Sequence, residues 1–268
     1  MSVIKVSTYS PSLQIKTDVN VILPGPVSGM PLEDAYRDPR KYPVLYLLHG
    51  TYGNHDDWLR YSRIESYAQE YHIAVVMMDA GNSYFRDVPR GQKYFTFITE
   101  EVPRMVEWMF PISGKREDKF VAGLSMGGFG ACKIAMKCPD RYSHAACLSS
   151  AFDGYAHEDT AKWPEGSPWE MYYRPDEVLT GNDEDLYYLV RDNLKNNREM
   201  PKLYIAEGLQ DFLMDQNERF TAFLSQNGIP YTYHKMDGAH DWSFWDAEIK
   251  NVLEWLPIEK NTAKYGFH

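Results

Sequence analysis

The segment Val44-Leu45-Tyr46-Leu47-Leu48 is apolar at both parities. A strand with one wet face alternates apolar and polar residues. A strand without alternation is buried on both faces, as in a parallel sheet covered on each side by helices. Runs of the same kind recur at residues 73–78, 119–123, 144–148, 201–206 and 231–236. Helical spacing lies between them. Residues 56–70 place Trp58, Ile64 and Tyr67 on one face, and 97–110 carry Phe97, Met105, Val106 and Met109, with Pro103 expected to kink or restart the helix. Residues 214–226 bring Phe220, Phe223 and Leu224 together and stop at Asn227-Gly228, and 242–256 form a last helix. Residues 13–23 alternate and predict an antiparallel strand, whereas 24–41, rich in proline, glycine and charge, predict a loop. This order predicts a single α/β domain over residues 1–268, with a mostly parallel central sheet flanked by helices.

Composition narrows the function classes. Lys and Arg number 28 against 38 Asp and Glu, a net charge of −10, which disfavours nucleic acid and anionic membranes as partners. No apolar run approaches the ~18 residues of a membrane span. The first residues show no basic stretch followed by an apolar one, so a cytoplasmic location is expected. Cys132, Cys138 and Cys147 are too few for a disulfide framework.

One segment breaks the rhythm. Residues 152–200 separate two strands by far more than a crossover needs and hold Trp163, Trp169, Tyr172, Tyr173, Tyr187 and Tyr188. Such an insertion is either a lid-like element bordering a site or a helical excursion packed on the body.

Gly123-Leu124-Ser125-Met126-Gly127 fits G-x-S-x-G. The five residues alone are a weak signal. Here they follow the apolar Phe120-Val121-Ala122 and precede a glycine-rich helix start, the strand–turn–helix setting in which a serine is lifted onto a tight turn. Three glycines so early in a helix cost about 1 kcal/mol each relative to alanine, a cost that a close backbone approach explains.

A serine hydroxyl needs a base. His240 lies between the last strand and the last helix, where an imidazole can reach back across the strand ends. The acid that orients it is expected at Asp211, just after the strand 201–206, with Asp215 as rival; Asp237 and Asp241 lie too close to His240. The order Ser125, Asp211, His240 is that of α/β-hydrolases. Two backbone N–H groups, of Met126 and Thr51, are the candidate oxyanion donors, and His49 is read as shaping that loop. His49, His55, Asp56 and Asp57 match no metal-ligand spacing, so no metal and no cofactor are expected.

These residues resemble the esterase D-type esterases, in particular the bacterial tributyrin-esterase group, whose relatives include S-formylglutathione hydrolases, feruloyl esterases and acyltransferases. The resemblance spans about residues 20–255. It is carried by the run 43–50 with Gly53-Asn54 and Trp58, by 123–130, by Asp211-Phe212-Leu213 and by Gly238-Ala239-His240-Asp241-Trp242. It implies an α/β-hydrolase fold with a helical insertion, Ser125 as nucleophile, Asp211 and His240 as its partners, and Thr51 with Met126 as oxyanion donors. The loop Thr51-Tyr52-Gly53 lacks the cysteine usual near this point in S-formylglutathione hydrolases, which disfavours a glutathione thioester.

The expected activity is hydrolysis of short-chain carboxylic esters through an acyl-enzyme, with a small-molecule ester as partner and self-association left open. Tyr52, Trp163, Trp169, Phe212 and Trp242 are candidate substrate contacts. The alternatives are a carbohydrate acetyl or feruloyl esterase, an acyltransferase, and a catalytically inactive hydrolase fold used for binding.

Overall fold

The computed structural model describes residues 1–37, 40–88, 91–154, 172 and 178–260. Strands β1 (Ser2–Ser10) and β2 (Ile15–Leu23) form a hairpin. They are followed by β3 (Val44–Leu48), β4 (Ala74–Met78), β5 (Lys119–Leu124), β6 (His144–Leu148), β7 (Lys202–Gly208) and β8 (Tyr231–Met236). The eight strands make one sheet in the order β1-β2-β4-β3-β5-β6-β7-β8. β1 and β2 pair antiparallel, β2 meets β4 antiparallel, and the other neighbours are parallel. This is an α/β-hydrolase-type fold.

Every residue of β3 is buried, and the strand's parity divides it between two cores: Val44, Tyr46 and Leu48 on one face, Leu45 and Leu47 on the other. At ~1.5–3 kcal/mol per fully buried large apolar side chain, neither face can be left to solvent. Helices α1 (Asp57–Tyr61), α2 (Ile64–Glu70) and α8 (Trp242–Trp255) cover the Leu45 face through Trp58, Ile64, Tyr67, Phe244 and Ile249. The helical segment from α3 (Tyr94–Thr96) to α4 (Val102–Met109), with α5 (Met126–Lys137), α6 (Leu186–Lys195) and α7 (Met214–Gln226), covers the other. None of the described helices is long and apolar enough to cross a membrane.

One strand was not anticipated and three expectations need correction. β1 has no counterpart in the sequence reading: it is an edge strand with mostly exposed residues, so its burial pattern is faint. β8 is an edge strand too, half-buried and not covered on both faces. The helix expected over 56–70 is two helices, because Ser62 is extended (φ −135°, ψ 173°) and its hydroxyl donates to the carbonyl of Trp58 at 2.6 Å. The helix expected over 97–110 starts earlier, at α3, and passes through a π turn at Phe97–Glu101 before α4; Pro103 follows directly on that turn, where the regular i→i−4 ladder that a proline would break is already interrupted.

Within 152–200, the described stretch from residue 178 packs on the body. Asp185 caps α6 by accepting the N–H groups of Tyr187 and Tyr188, and α6 buries Leu186, Leu189 and Val190 in the core. The Tyr187 ring lies edge-on to Phe220 and Phe223. Trp163, Trp169 and Tyr173 lie outside the described residues.

Candidate active site

Parallel strands deliver their carboxyl ends to one rim of the sheet, where loops can gather side chains from distant sequence. Here Ser125 follows β5, Ser149 follows β6, the loop bearing Asp211 follows β7 and the loop bearing His240 follows β8. Ser125 has φ 54° and ψ −118°, the left-handed backbone of a strained turn into α5. Its flanking glycines are there for space. A Cβ on Gly123 would lie 2.4 Å from the carbonyl oxygen of Gly127, and one on Gly127 would lie 2.6 Å from that of His49.

His240 and Asp211 meet directly. Nδ1 of His240 lies 2.8 Å from Oδ2 and 3.1 Å from Oδ1 of Asp211. The carboxylate is fully buried, whereas the imidazole keeps 18% of its side-chain surface. Burial alone would raise the Asp211 carboxyl, but hydrogen bonds from His240, from the Leu213 N–H (2.9 Å) and from Ser149 outweigh it and hold the carboxyl below its ordinary range. Asp211 is therefore an anion facing the imidazole. With Nδ1 so engaged, Nε2 is the ring nitrogen left for a hydroxyl. Ser125 and His240 line the same cleft, of about 370 Å³, together with Gly50, Thr51, Tyr52, Asp57, Leu124, Phe212, Trp242 and Trp245. The rival Asp215 stands in the first turn of α7, where a carboxylate complements the helix N-terminus. Asp241 caps α8 by accepting the Phe244 N–H at 3.1 Å.

The oxyanion candidates follow the same logic. Among the described residues, neither the Thr51 nor the Met126 N–H donates a backbone hydrogen bond. The Thr51 loop is built from outside: Trp58 Nε1–H donates to the Leu48 carbonyl at 3.0 Å and Tyr52 N–H to Asn82 Oδ1 at 2.8 Å. His49 is buried and lowered by that burial, hence neutral. Its Nδ1–H donates to the Gly50 carbonyl (2.7 Å) while Nε2 accepts the Ala80 N–H (2.9 Å), which fits a loop-shaping residue. His55 is held by Asp79 at 3.0 Å, outside the cleft.

Of the candidate substrate contacts, Tyr52, Phe212 and Trp242 line the cleft. Tyr52 and Phe212 are each 75% exposed. The Phe212 ring also lies 4.6 Å from the His240 ring. Trp242 stacks edge-on to Trp58 and Trp245, so it belongs to the wall as much as to the mouth.

Three residues escaped the sequence reading. Trp245 stands edge-on to His240 with ring centroids 5.0 Å apart, and its Nε1–H donates to Ser149 Oγ at 3.0 Å. Ser149, at φ 44°, is itself a hydrogen-bond partner of Asp211. Gln210 ties the Asp211 loop to the His240 loop: its N–H donates to the Gly238 carbonyl (2.9 Å) and its Oε1 accepts the Gly238 N–H (2.8 Å). None carries a sequence signal beyond its distance from Asp211 or His240.

A serine on a strained strand-to-helix turn, beside an imidazole fixed by a buried carboxylate, defines a serine hydrolase on an α/β-hydrolase scaffold. The family model described as "Putative esterase" matches residues 10–256, and the chain belongs to that esterase family; it is a serine carboxylic ester hydrolase. An acetyl esterase of Caldicellulosiruptor saccharolyticus is 32% identical over 262 residues, covering 96% of this chain and 98% of the relative. The structure of a fluorophosphonate-binding serine hydrolase of Staphylococcus aureus, FphF, superposes with a TM-score of 0.85 at 31% identity, over 95% of this chain and 98% of that one. The S-formylglutathione hydrolase FrmB of the same organism does so with a TM-score of 0.82 at 32% identity and the same coverages.

Proposed function

We propose that the chain hydrolyses esters of short acyl groups through a covalent acyl-enzyme. The observation that carries this reading is the Asp211–His240 pair, closed at 2.8 Å beside Ser125 in one cleft. Ser125 Oγ attacks the ester carbonyl carbon as its proton passes to Nε2 of His240, and the buried Asp211 carboxylate stabilises the imidazolium. The Thr51 and Met126 N–H groups receive the oxyanion. Collapse breaks the bond to the alkoxy oxygen, which leaves with the His240 proton. Water then repeats the sequence on the acyl-serine.

The likeness to an acetyl esterase supports acetyl and other short acyl groups. The exposed rings of Tyr52 and Phe212 at the mouth support a second reading, in which the ester carries an aromatic acid or a sugar that stacks on them. Rates over aryl esters from acetate to octanoate, methyl ferulate, acetylated xylo-oligosaccharides and an S-acyl glutathione separate these readings. A steep fall beyond butyrate with slow ferulate turnover supports the first. Preference for octanoate or for the thioester removes it.

A further inference from the structure

Glu207 is the penultimate residue of β7 and is completely buried, and neither of its carboxyl oxygens meets a hydrogen-bond donor among the described residues. A buried carboxyl in that state is costly, and native proteins rarely keep one without a use. Its position relates it to the acid of the site. Period two along β7 puts Glu207 on the same face as Leu203 and Ile205, the face covered by α7 through Phe220 and Leu224. One residue later the chain turns sharply, the Asp211 N–H donating to the Gly208 carbonyl at 3.0 Å, and this turn folds Asp211 back over the strand end. On the β6 side, the Ser149 N–H donates to the Ala206 carbonyl at 2.8 Å. On the β8 side, Lys235 is the register partner and Tyr233 is the neighbouring ionisable ring that senses Glu207. α7 presents Asn217, whose Oδ1 is also unpartnered. No cation is paired with Glu207 among these groups. The charged group acting on it is the Asp211 carboxylate, which, after burial itself, pushes the Glu207 carboxyl up.

We propose that Glu207 is a positioning residue for the acid of the site: a neutral carboxylic acid whose O–H points to the Asp211 carboxylate and restrains both its rotamer and its charge. The proposal rests on the Ser125–His240–Asp211 reading. A neutral acid has one donor, and a neighbouring carboxylate is the strongest acceptor available to it. The hydrogen bond draws charge from the oxygens that face the imidazole. It therefore weakens the hold of Asp211 on the protonated imidazole while fixing the geometry that holds the neutral one.

The test uses Glu207→Gln, which keeps a donor and the volume, and Glu207→Leu, which keeps volume without a donor. On an aryl acetate, Glu207→Gln should stay within about threefold of wild type in kcat. Glu207→Leu should lose on the order of tenfold in kcat with little change in KM, and the acid limb of its pH–kcat/KM profile should move to higher pH because Asp211 regains its full charge. Equal profiles for the two variants would overturn the proposal, as would a loss in Glu207→Leu that appears only in thermal stability. Infrared spectroscopy of the wild-type protein near neutral pH does not depend on the leucine variant folding: a protonated-carboxyl stretch present in wild type and missing from Glu207→Gln supports the proposal, and its absence from wild type overturns it. Asp211→Asn measured alongside separates the two levels. If Asp211→Asn retains full rate, the underlying reading fails. If it is inactive while Glu207→Leu matches wild type, only the role of Glu207 fails.

Discussion

Asp211 and His240 are 29 positions apart in the chain, yet Nδ1 of the histidine lies 2.8 Å from a carboxylate oxygen that solvent does not reach. β7 and β8 are parallel neighbours, so the loops at their carboxyl ends start side by side, and Gln210 locks one to the other. Replacing Asp211 with Asn should lower kcat by on the order of 10³–10⁴, since the amide favours the wrong imidazole tautomer. Asp215→Asn should leave the rate nearly intact and cost at most about 1 kcal/mol of helix-terminal stabilisation. Kinetics of the two variants decide the matter, and a reversed asymmetry would relocate the acid.

Ser125→Ala should lose on the order of 10³-fold or more in kcat on an aryl acetate, because no acyl-enzyme can form. A fluorophosphonate probe should label the wild-type protein at one serine and the variant not at all. More than a tenth of the activity in a pure variant would exclude Ser125 as the nucleophile.

Gly127→Ala should destabilise the fold by about 1–3 kcal/mol or more, because the added Cβ meets backbone that cannot swing aside. The contacts would be 2.6 Å to the His49 carbonyl oxygen and 2.7 Å to that of Leu48. Urea unfolding measures the loss. Because those carbonyls begin the Thr51 loop, residual folded enzyme should also turn over more slowly, and an unaffected midpoint would show that the loop yields.

Glu207 should make stability fall as pH rises. Burial first, and Asp211 second, push its carboxyl up to about 10 from 4.5. Between those values the unfolded chain has released a proton that the folded chain still holds, so raising the pH favours unfolding, by at most ~1.4 kcal/mol per pH unit for one group. Glu207→Gln has no such proton. Its stability relative to wild type should grow steadily when unfolding is compared at about pH 5, 7 and 9. A constant difference across that range would mean that Glu207 is ionised in the folded state.

The parallel part of the sheet was legible because strands such as Val44–Leu48 are apolar at both parities, and only burial on two faces satisfies such a pattern. The Ser125 turn was legible because its glycines are expensive anywhere else in a helix start. Ser125, Asp211 and His240 could be put forward as candidates from their positions just beyond strand ends. β1 and the edge character of β8 were not legible, since an exposed strand leaves little hydrophobic signal. Nor was the break at Ser62, which depends on one hydroxyl bonding back to the Trp58 carbonyl.

What the sequence determined by itself is therefore the class of scaffold and the chemical types at the strand ends, because periodicity and glycine cost are local properties of the chain. What only the tertiary structure decided is which groups share a cleft and in what ionisation state. Trp245 reaches His240 and Ser149, Gln210 joins two loops, and Glu207 is buried away from any donor, through contacts between residues far apart in sequence or on different sheet faces. Burial and neighbouring charge set those protonation states, and both exist only once the sheet has brought its strand ends together.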